Sequence, residues 1–255
     1  MKFKKLREDI SYLRRASAPA EVIRSYIRKN IFRKREGKNL KAIQSAFTAG
    51  LNKHNFSNDW FSGNIPFWIL TFEDYKFNTK EKIEALEIGS WEGMSSLFLL
   101  QYFDNLHLTC VDTWQGGDEH KALDFNSENV LNNIEKRFDS NVGKYSDRVT
   151  KYKGTSLSYF ACNDEREKYD LIYVDGSHYC DDVLIDAIKS FDVLKVGGLI
   201  IFDDYFWRYY PRVIDNPAFA INTFLRMKRD SLKIVRIYEQ LIIEKTASCN
   251  RKSGE

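Results

Sequence analysis

From Ile83 onward the chain alternates short, almost continuous apolar runs with stretches whose apolar residues recur every three or four positions. The runs Ile83–Ile88 (IEALEI), Leu106–Val111 (LHLTCV), Arg148–Tyr152, Tyr169–Val174 (YDLIYV) and Leu199–Phe202 (LIIF) read as strands. The intervening periodicity predicts helices near Gly93–Tyr102, Ser127–Phe138, Asp181–Leu194 and Ala218–Lys228. Val196-Gly197-Gly198 reads as a turn, and Leu232–Ile237 with Gln240–Glu244 as a closing hairpin. Apolar strands alternating with helices predict a doubly wound α/β domain whose seven-stranded, mainly parallel sheet is covered on both faces. In such sheets ligands bind beyond the carboxyl ends of the strands. The residues to watch are therefore Gly89, Asp112, Asp175, Asp203 and Asp204.

Upstream the period is helical throughout. Leu6, Ile10 and Leu13 share one helix face, and Ile23, Ile27 and Ile31 another, with Pro19 between the two helices. A polar break at Glu36–Asn39 precedes a third helical stretch, Leu40–Leu51. The expected organisation is a basic helical extension over 1–53, an α/β domain over 54–246 and a flexible tail over 247–255.

Charge sharpens that division. Residues 1–53 hold 15 Lys+Arg against 4 Asp+Glu, a balance of +11, so the remainder carries −8 of the overall +3. The extension lacks the interleaved aromatics of a nucleic-acid groove, which disfavours a nucleic-acid partner. It reads as a solvated helical surface and a candidate for pairing two subunits. The apolar fraction of 43% suffices for a core, but no run approaches a membrane span. The first residues carry charge without an apolar segment and do not read as a secretory signal, so a cytoplasmic location is expected. Cys110, Cys162, Cys180 and Cys249 form no paired spacing, which disfavours zinc and disulfides; Cys110 and Cys180 read as small core residues.

The first strand runs into Glu87-Ile88-Gly89-Ser90-Trp91-Glu92-Gly93. Gly89 permits a sharp turn and Gly93 a close helix start. The spacing is G-x-x-x-G, without the third glycine that a pyrophosphate requires. Asp112 ends the second strand and can accept hydrogen bonds from both hydroxyls of a ribose. Thr155 and Ser156 follow the third strand; each is a candidate cofactor contact or a helix N-cap.

Together, E-I-G-S-W-E-G, V-D-T-W, Y-V-D-G-S-H-Y and G-G-L-I-I-F-D-D-Y resemble the class I methyltransferases that use S-adenosylmethionine (SAM). The chain is similar to their Asp-Gly-Ser-His branch, near the macrocin-type O-methyltransferases. The resemblance covers roughly residues 54–246 and implies a Rossmann-like methyltransferase fold. It implies a SAM site in which Glu87, Gly89, Trp91 and Gly93 line the methionine and ribose, Asp112 holds the ribose and Ser156 the adenine. Ser90, Thr113, Thr155 and Asp175 complete the cofactor set.

Asp175 ends the fourth strand and Asp203-Asp204 the fifth, so three carboxylates are expected to converge on one crevice. Close carboxylates repel, and burying them uncompensated is costly. A divalent cation, with Mg²⁺ favoured by oxygen ligands, relieves this and would activate a substrate hydroxyl. The same arrangement occurs in metal-dependent members of the resembled class. Asp175, Asp203 and Asp204 are the expected metal ligands, the alternative being that Asp203 and Asp204 cap a turn while Asp175 contacts SAM or substrate; Asp175 and His178 are the expected catalytic residues. His178 reads as a general base or a helix-start histidine. His120 is a weaker candidate, in a loop that Gly116-Gly117 would make mobile. The aromatics Tyr205, Phe206, Trp207, Tyr209 and Tyr210 suit a sugar or planar acceptor, a substrate wall in the resembled family, or ordinary packing. Trp60 and Trp68 read as core residues.

The expected function is methyl transfer to a hydroxyl of a small molecule or sugar. Two rivals stand against it. A nicotinamide-dependent oxidoreductase would need the missing glycine triplet, and a non-catalytic module would have no use for three grouped carboxylates.

Overall fold

The computed structural model describes residues 2–32, 39–77, 79–117 and 128–248. Among them lie seven strands: β1 (Ile83–Ile88), β2 (Leu106–Asp112), β3 (Val149–Lys153), β4 (Tyr169–Val174), β5 (Leu194–Phe202), β6 (Leu232–Ile237) and β7 (Leu241–Lys245). The helices are α1 (Lys2–Arg15), α2 (Ala20–Phe32), α3 (Asn39–Gly50), α4 (Ile65–Asp74), α5 (Met94–Tyr102), α6 (Glu128–Leu131), α7 (Ile134–Val142), α8 (Ser156–Cys162), α9 (Cys180–Val193) and α10 (Pro217–Met227). The strands form one mixed sheet in the order β3-β2-β1-β4-β5-β7-β6. Two compact units are distinguished, residues 34–159 and residues 1–33 with 160–255. His120, most of the loop after Gly116-Gly117, Cys249 and most of the 247–255 tail lie outside the described residues.

In the unit 34–159, β1 pairs in parallel with β2, and β2 with β3. Parallel neighbours require a crossover, and α5 supplies the first. Its residues Met94–Leu100 are all buried, as a helix on a sheet face requires. Arg148 caps its far end, donating to the carbonyls of Leu100 (2.7 Å) and Phe103 (2.8 Å). The helix expected at Ser127–Phe138 is instead two, α6 and α7, divided at Asn132-Asn133, where a poor helix former leaves helical dihedrals (Asn133 φ −119°). Helix α8 follows Thr155, one of the two residues offered as an N-cap, whose Oγ1 accepts the Ser158 N–H at 3.1 Å.

In the other unit, β4 and β5 pair in parallel, while β7 runs antiparallel to both β5 and β6. Val196-Gly197-Gly198 is not a turn. It lies inside β5, where Gly197 adopts φ +85° and the register with β4 shifts. A Cβ at Gly198 would lie 2.9 Å from the Asp170 carbonyl, so only glycine lets the strands close there. Lys245 of β7 is 3% exposed and caps α9, donating to the carbonyls of Phe191 (3.0 Å) and Leu194 (2.6 Å). Replacing it with methionine fills the space but leaves those carbonyls without the cation. Lys245→Met is expected to lower stability by about 2 kcal/mol in urea unfolding. An unchanged midpoint would show the cap to be dispensable.

Helices α1 and α2 belong to this second unit. They bury Tyr12, Leu13 and Val22, and α2 packs on β6. Among the described residues no helix is long and apolar enough to cross a membrane.

Candidate active site

The turn after β1 is built on left-handed backbone. Gly89 (φ +86°), Trp91 (φ +46°) and Gly93 (φ +83°) alternate with ordinary residues. Non-glycine residues adopt this region only where the surroundings force it, and such positions cluster at functional loops. Trp114 (φ +53°), after β2, and Asp204 (φ +51°), after β5, are two further cases at strand ends. A Cβ at Gly93 would meet Phe138 at 3.0 Å and Val142 at 3.1 Å, so glycine also allows α7 to close on the turn.

Asp112 organises this end of the unit. Its Oδ2 accepts the Trp91 N–H at 2.8 Å and its Oδ1 the Trp114 N–H at 2.6 Å. One carboxylate thus fixes both strained turns, and the Trp114 indole N–H closes the loop on the Trp91 carbonyl at 2.9 Å. Burial pushes the Asp112 carboxyl up, while these backbone donors hold it down. The backbone N–H groups of Ser90 and Thr113 add to those of Trp91 and Trp114 in holding it down.

Glu87 lies near the end of β1. It is fully buried, accepting the Ser95 hydroxyl at 2.5 Å and the Ser96 hydroxyl, both from the first turn of α5. Strand alternation accounts for this, because Glu87 points into the β1–α5 interface. Burial raises its carboxyl above the usual range against the pull of the serines. A raised value means that the native state keeps a proton the unfolded chain has lost, so stability declines as pH rises between the two values. Glu87→Gln, neutral at every pH, is expected to melt above the unsubstituted protein near ~pH 8 and to gain less near ~pH 4.5. The reverse order would show an ionised Glu87.

Glu92, which the sequence did not single out, is 1% exposed and anchors the rim of the turn. It accepts the Ser57 N–H at 2.6 Å and Arg137 Nη1 at 2.5 Å, while Asn141 donates to its carbonyl at 2.9 Å. The Ser57 segment leads to Trp60, which is 52% exposed with its ring 5.6 Å from that of Trp91. Trp60 is therefore not a core residue; Trp68, at 0% exposure, is. Cys110 is buried as expected, whereas Cys180 is only part-buried. Thr113 accepts the Gln115 N–H at 3.3 Å, and Thr155 caps α8 next to the half-buried Ser156.

The second cluster is carried by the ends of β4 and β5. Ligand atoms of Asp175, His178 and Asp204 lie within 4.8 Å of one another. His178 Nε2 is 2.7 Å from Asp204 Oδ2. Asp203 does not join this trio. Its carboxylate is taken up by the Tyr173 hydroxyl, the Asp204 N–H (2.7 Å) and Gln240 Nε2 (2.7 Å). Tyr173 also donates to Asp175 Oδ2 at 2.9 Å. It has one proton for two carboxylates, so a charge imbalance remains. Burial and the neighbouring Asp203 and Asp204 push Asp175 well above the usual carboxylate range, and Asp203 is pushed up to about 6 by burial and Asp204. The trio of two carboxylates and an imidazole, short of positive charge, fits a divalent cation such as Mg²⁺ or Mn²⁺.

Aromatic rings flank the trio. Trp207 packs on His178 at 4.6 Å and stacks with Tyr209 at 5.2 Å, and Tyr210 stacks on Tyr179 at 4.9 Å. Tyr179 and Tyr209 are exposed, whereas Tyr205 is fully buried with its hydroxyl on Asn222 at 2.6 Å. The anticipated aromatic loop thus divides into a core anchor and an accessible shelf.

A methyltransferase-domain family matches residues 86–205, a little under half of the chain. No curated protein matches it. Solved structures share the fold at low identity. An O-methyltransferase from Bacillus cereus, in complex with SAH, is 16% identical with a TM-score of 0.50, covering 88% of this chain and 98% of its own. TomG, an O-methyltransferase of tomaymycin synthesis from Streptomyces achromogenes in complex with SAM, is 11% identical with a TM-score of 0.50, covering 83% of this chain and all of its own (100%). MycE, from the mycinamycin biosynthetic pathway and in complex with Mg, SAH and mycinamycin VI, is 16% identical with a TM-score of 0.53, covering 86% of this chain and 57% of its own. The fold is that of the Rossmann-like methyltransferases.

Proposed function

We propose that the protein transfers a methyl group from SAM to a hydroxyl of a small molecule or sugar, assisted by a divalent cation. The observation that carries this reading is the grouping of Asp175, His178 and Asp204 at the ends of two parallel strands of a methyltransferase fold. SAM supplies an electrophilic methyl on its sulfonium, and a bound cation supplies a Lewis acid that makes a hydroxyl more acidic. The remaining work falls to the chain. Asp112 is the residue to hold the ribose hydroxyls, with Gly89, Ser90, Trp91 and Gly93 forming the turn beside the methionine. Thr113, Thr155 and Ser156 complete the donor's surroundings. Asp175, His178 and Asp204 would hold the cation, while Asp203 steadies them through Tyr173 and its bond to the Asp204 N–H. Asp175 and His178 would take the hydroxyl proton. Tyr179, Trp207, Tyr209 and Tyr210 offer ring faces to a planar or sugar acceptor. The MycE complex, which contains Mg, SAH and mycinamycin VI, supports this choice of cofactors and a small-molecule acceptor.

The test is SAH release from SAM across a panel of phenolic and glycosidic acceptors, with Mg²⁺ and with excess chelator. Release that requires a hydroxylated acceptor and stops in chelator is expected. Full turnover in chelator would exclude the cation from the reaction.

A further inference from the structure

Helix α1 carries a carboxylate that should not be buried without a purpose: Asp9, 4% exposed. An uncompensated buried charge costs several kcal/mol by continuum and mutational estimates. Here two donors compensate it, the Tyr26 hydroxyl of α2 at 2.6 Å and Arg208 Nη2 at 2.6 Å. Arg208 belongs to the aromatic loop that follows Asp204. Its guanidinium lies 4.1 Å from the centre of the Tyr12 ring, also on α1. Tyr12 in turn donates its hydroxyl to the Trp207 carbonyl at 3.3 Å. Two side chains of α1 thus grip two successive loop residues, 207 and 208. The end of the helix is tied separately, through the Ala16 carbonyl to Asn222 Nδ2 at 3.0 Å. On the loop's other side the Trp207 ring packs on His178, whose Nε2 faces Asp204.

From this chain of contacts we infer that Asp9 is a positioning residue: through Arg208 and Tyr12 it holds Trp207 against His178 and so sets the wall that meets the acceptor. The functional part of the inference rests on the reading of Asp175, His178 and Asp204 as the reacting end of the site. The basic N-terminal helices are then part of the acceptor site's architecture. A sheet that folds correctly without the clamp would leave the loop free to move its ring away from His178. Displacements of about 1 Å at such positions cost up to about a hundred-fold in rate.

The experiment is proton NMR of protein labelled at its four histidines, at one fixed pH, with Asp9→Ala, Arg208→Ala and Tyr12→Phe. The Trp207 ring shifts the His178 imidazole protons, and Trp207→Ala gives the position expected without it. Asp9→Ala and Arg208→Ala are each expected to move the His178 signals most of the way to that position, and together no further. Arg208→Lys is expected to restore part of the shift. Tyr12→Phe, which removes a single hydroxyl and keeps the packing, is expected to move them a smaller distance in the same direction, so the test survives if Asp9→Ala fails to fold. Once an acceptor is in hand, its KM is expected to rise in Asp9→Ala with SAH affinity unchanged. His178 signals that stay in place in folded Arg208→Ala and Tyr12→Phe would overturn the inference. The NMR shift reads the clamp whether or not methyl transfer occurs, whereas failure of the unsubstituted protein to bind SAH would remove the proposed function and leave the clamp standing.

Discussion

Asp175→Asn is expected to make the cation-free protein more stable and at the same time remove its response to Mg²⁺ or Mn²⁺. Both effects have one source. Asp175 is part-buried beside Asp203 and Asp204, and desolvation with these neighbours holds its carboxyl well above the usual range. The native state therefore keeps protons that the unfolded chain releases, and stability falls as pH rises from the ordinary carboxylate value of 3.8 through about 6, the value of Asp203. Asparagine keeps the shape and the acceptor for Tyr173 but carries no charge, so the fall should flatten. A cation at a hundred times its dissociation constant stabilises a protein by about 2.7 kcal/mol. The unsubstituted protein should show a gain of that order in thermal unfolding at neutral pH, and Asp175→Asn none. Methyl transfer should drop by about 10³-fold, since a Lewis acid is worth several kcal/mol. Equal stabilisation of both proteins by Mn²⁺ would place the cation elsewhere.

On the proposed reading, Asp112→Ala is expected to reduce SAH affinity by about 10²- to 10⁴-fold, because two charge-assisted hydrogen bonds to the ribose would each be worth about 1.5–3 kcal/mol. The turns also lose their common anchor. Trp91 and Trp114 are both held in the left-handed region while donating to this one side chain. Asp112→Asn retains one acceptor oxygen and should fall between. Calorimetric titration of the three proteins reads the series. Unchanged affinity in Asp112→Ala would reduce Asp112 to a cap for the two turns.

The alternation of apolar runs was sufficient to locate every strand to within a few residues except β5, because continuous burial leaves an unbroken apolar signature. It failed where glycine served packing instead of chain reversal, at Gly197-Gly198, since a bulge and a turn ask for the same residue. The strand-end rule drew attention to Asp112, Asp175 and Asp204, which lie at or just past the ends of β2, β4 and β5. It could not show that Asp203 turns to Gln240, 37 residues away, or that Glu92 bonds Arg137, 45 residues away. Such pairs leave no local period. Tyr173 did leave a trace, since it lies two residues before Asp175 and so on the same strand face. The helical spacing in α1 announced a helix but not its partner, because the Asp9–Arg208 pair joins positions 199 apart.

The proposed donor site would take a nucleoside sulfonium, because the turn after β1 lacks the third glycine that a pyrophosphate requires. Separate calorimetric titrations of the unsubstituted protein with SAH and with NADH address that directly. Saturable micromolar binding of SAH, with no heat from NADH at the same concentrations, is the result expected. Saturable binding of NADH with none of SAH would contradict it.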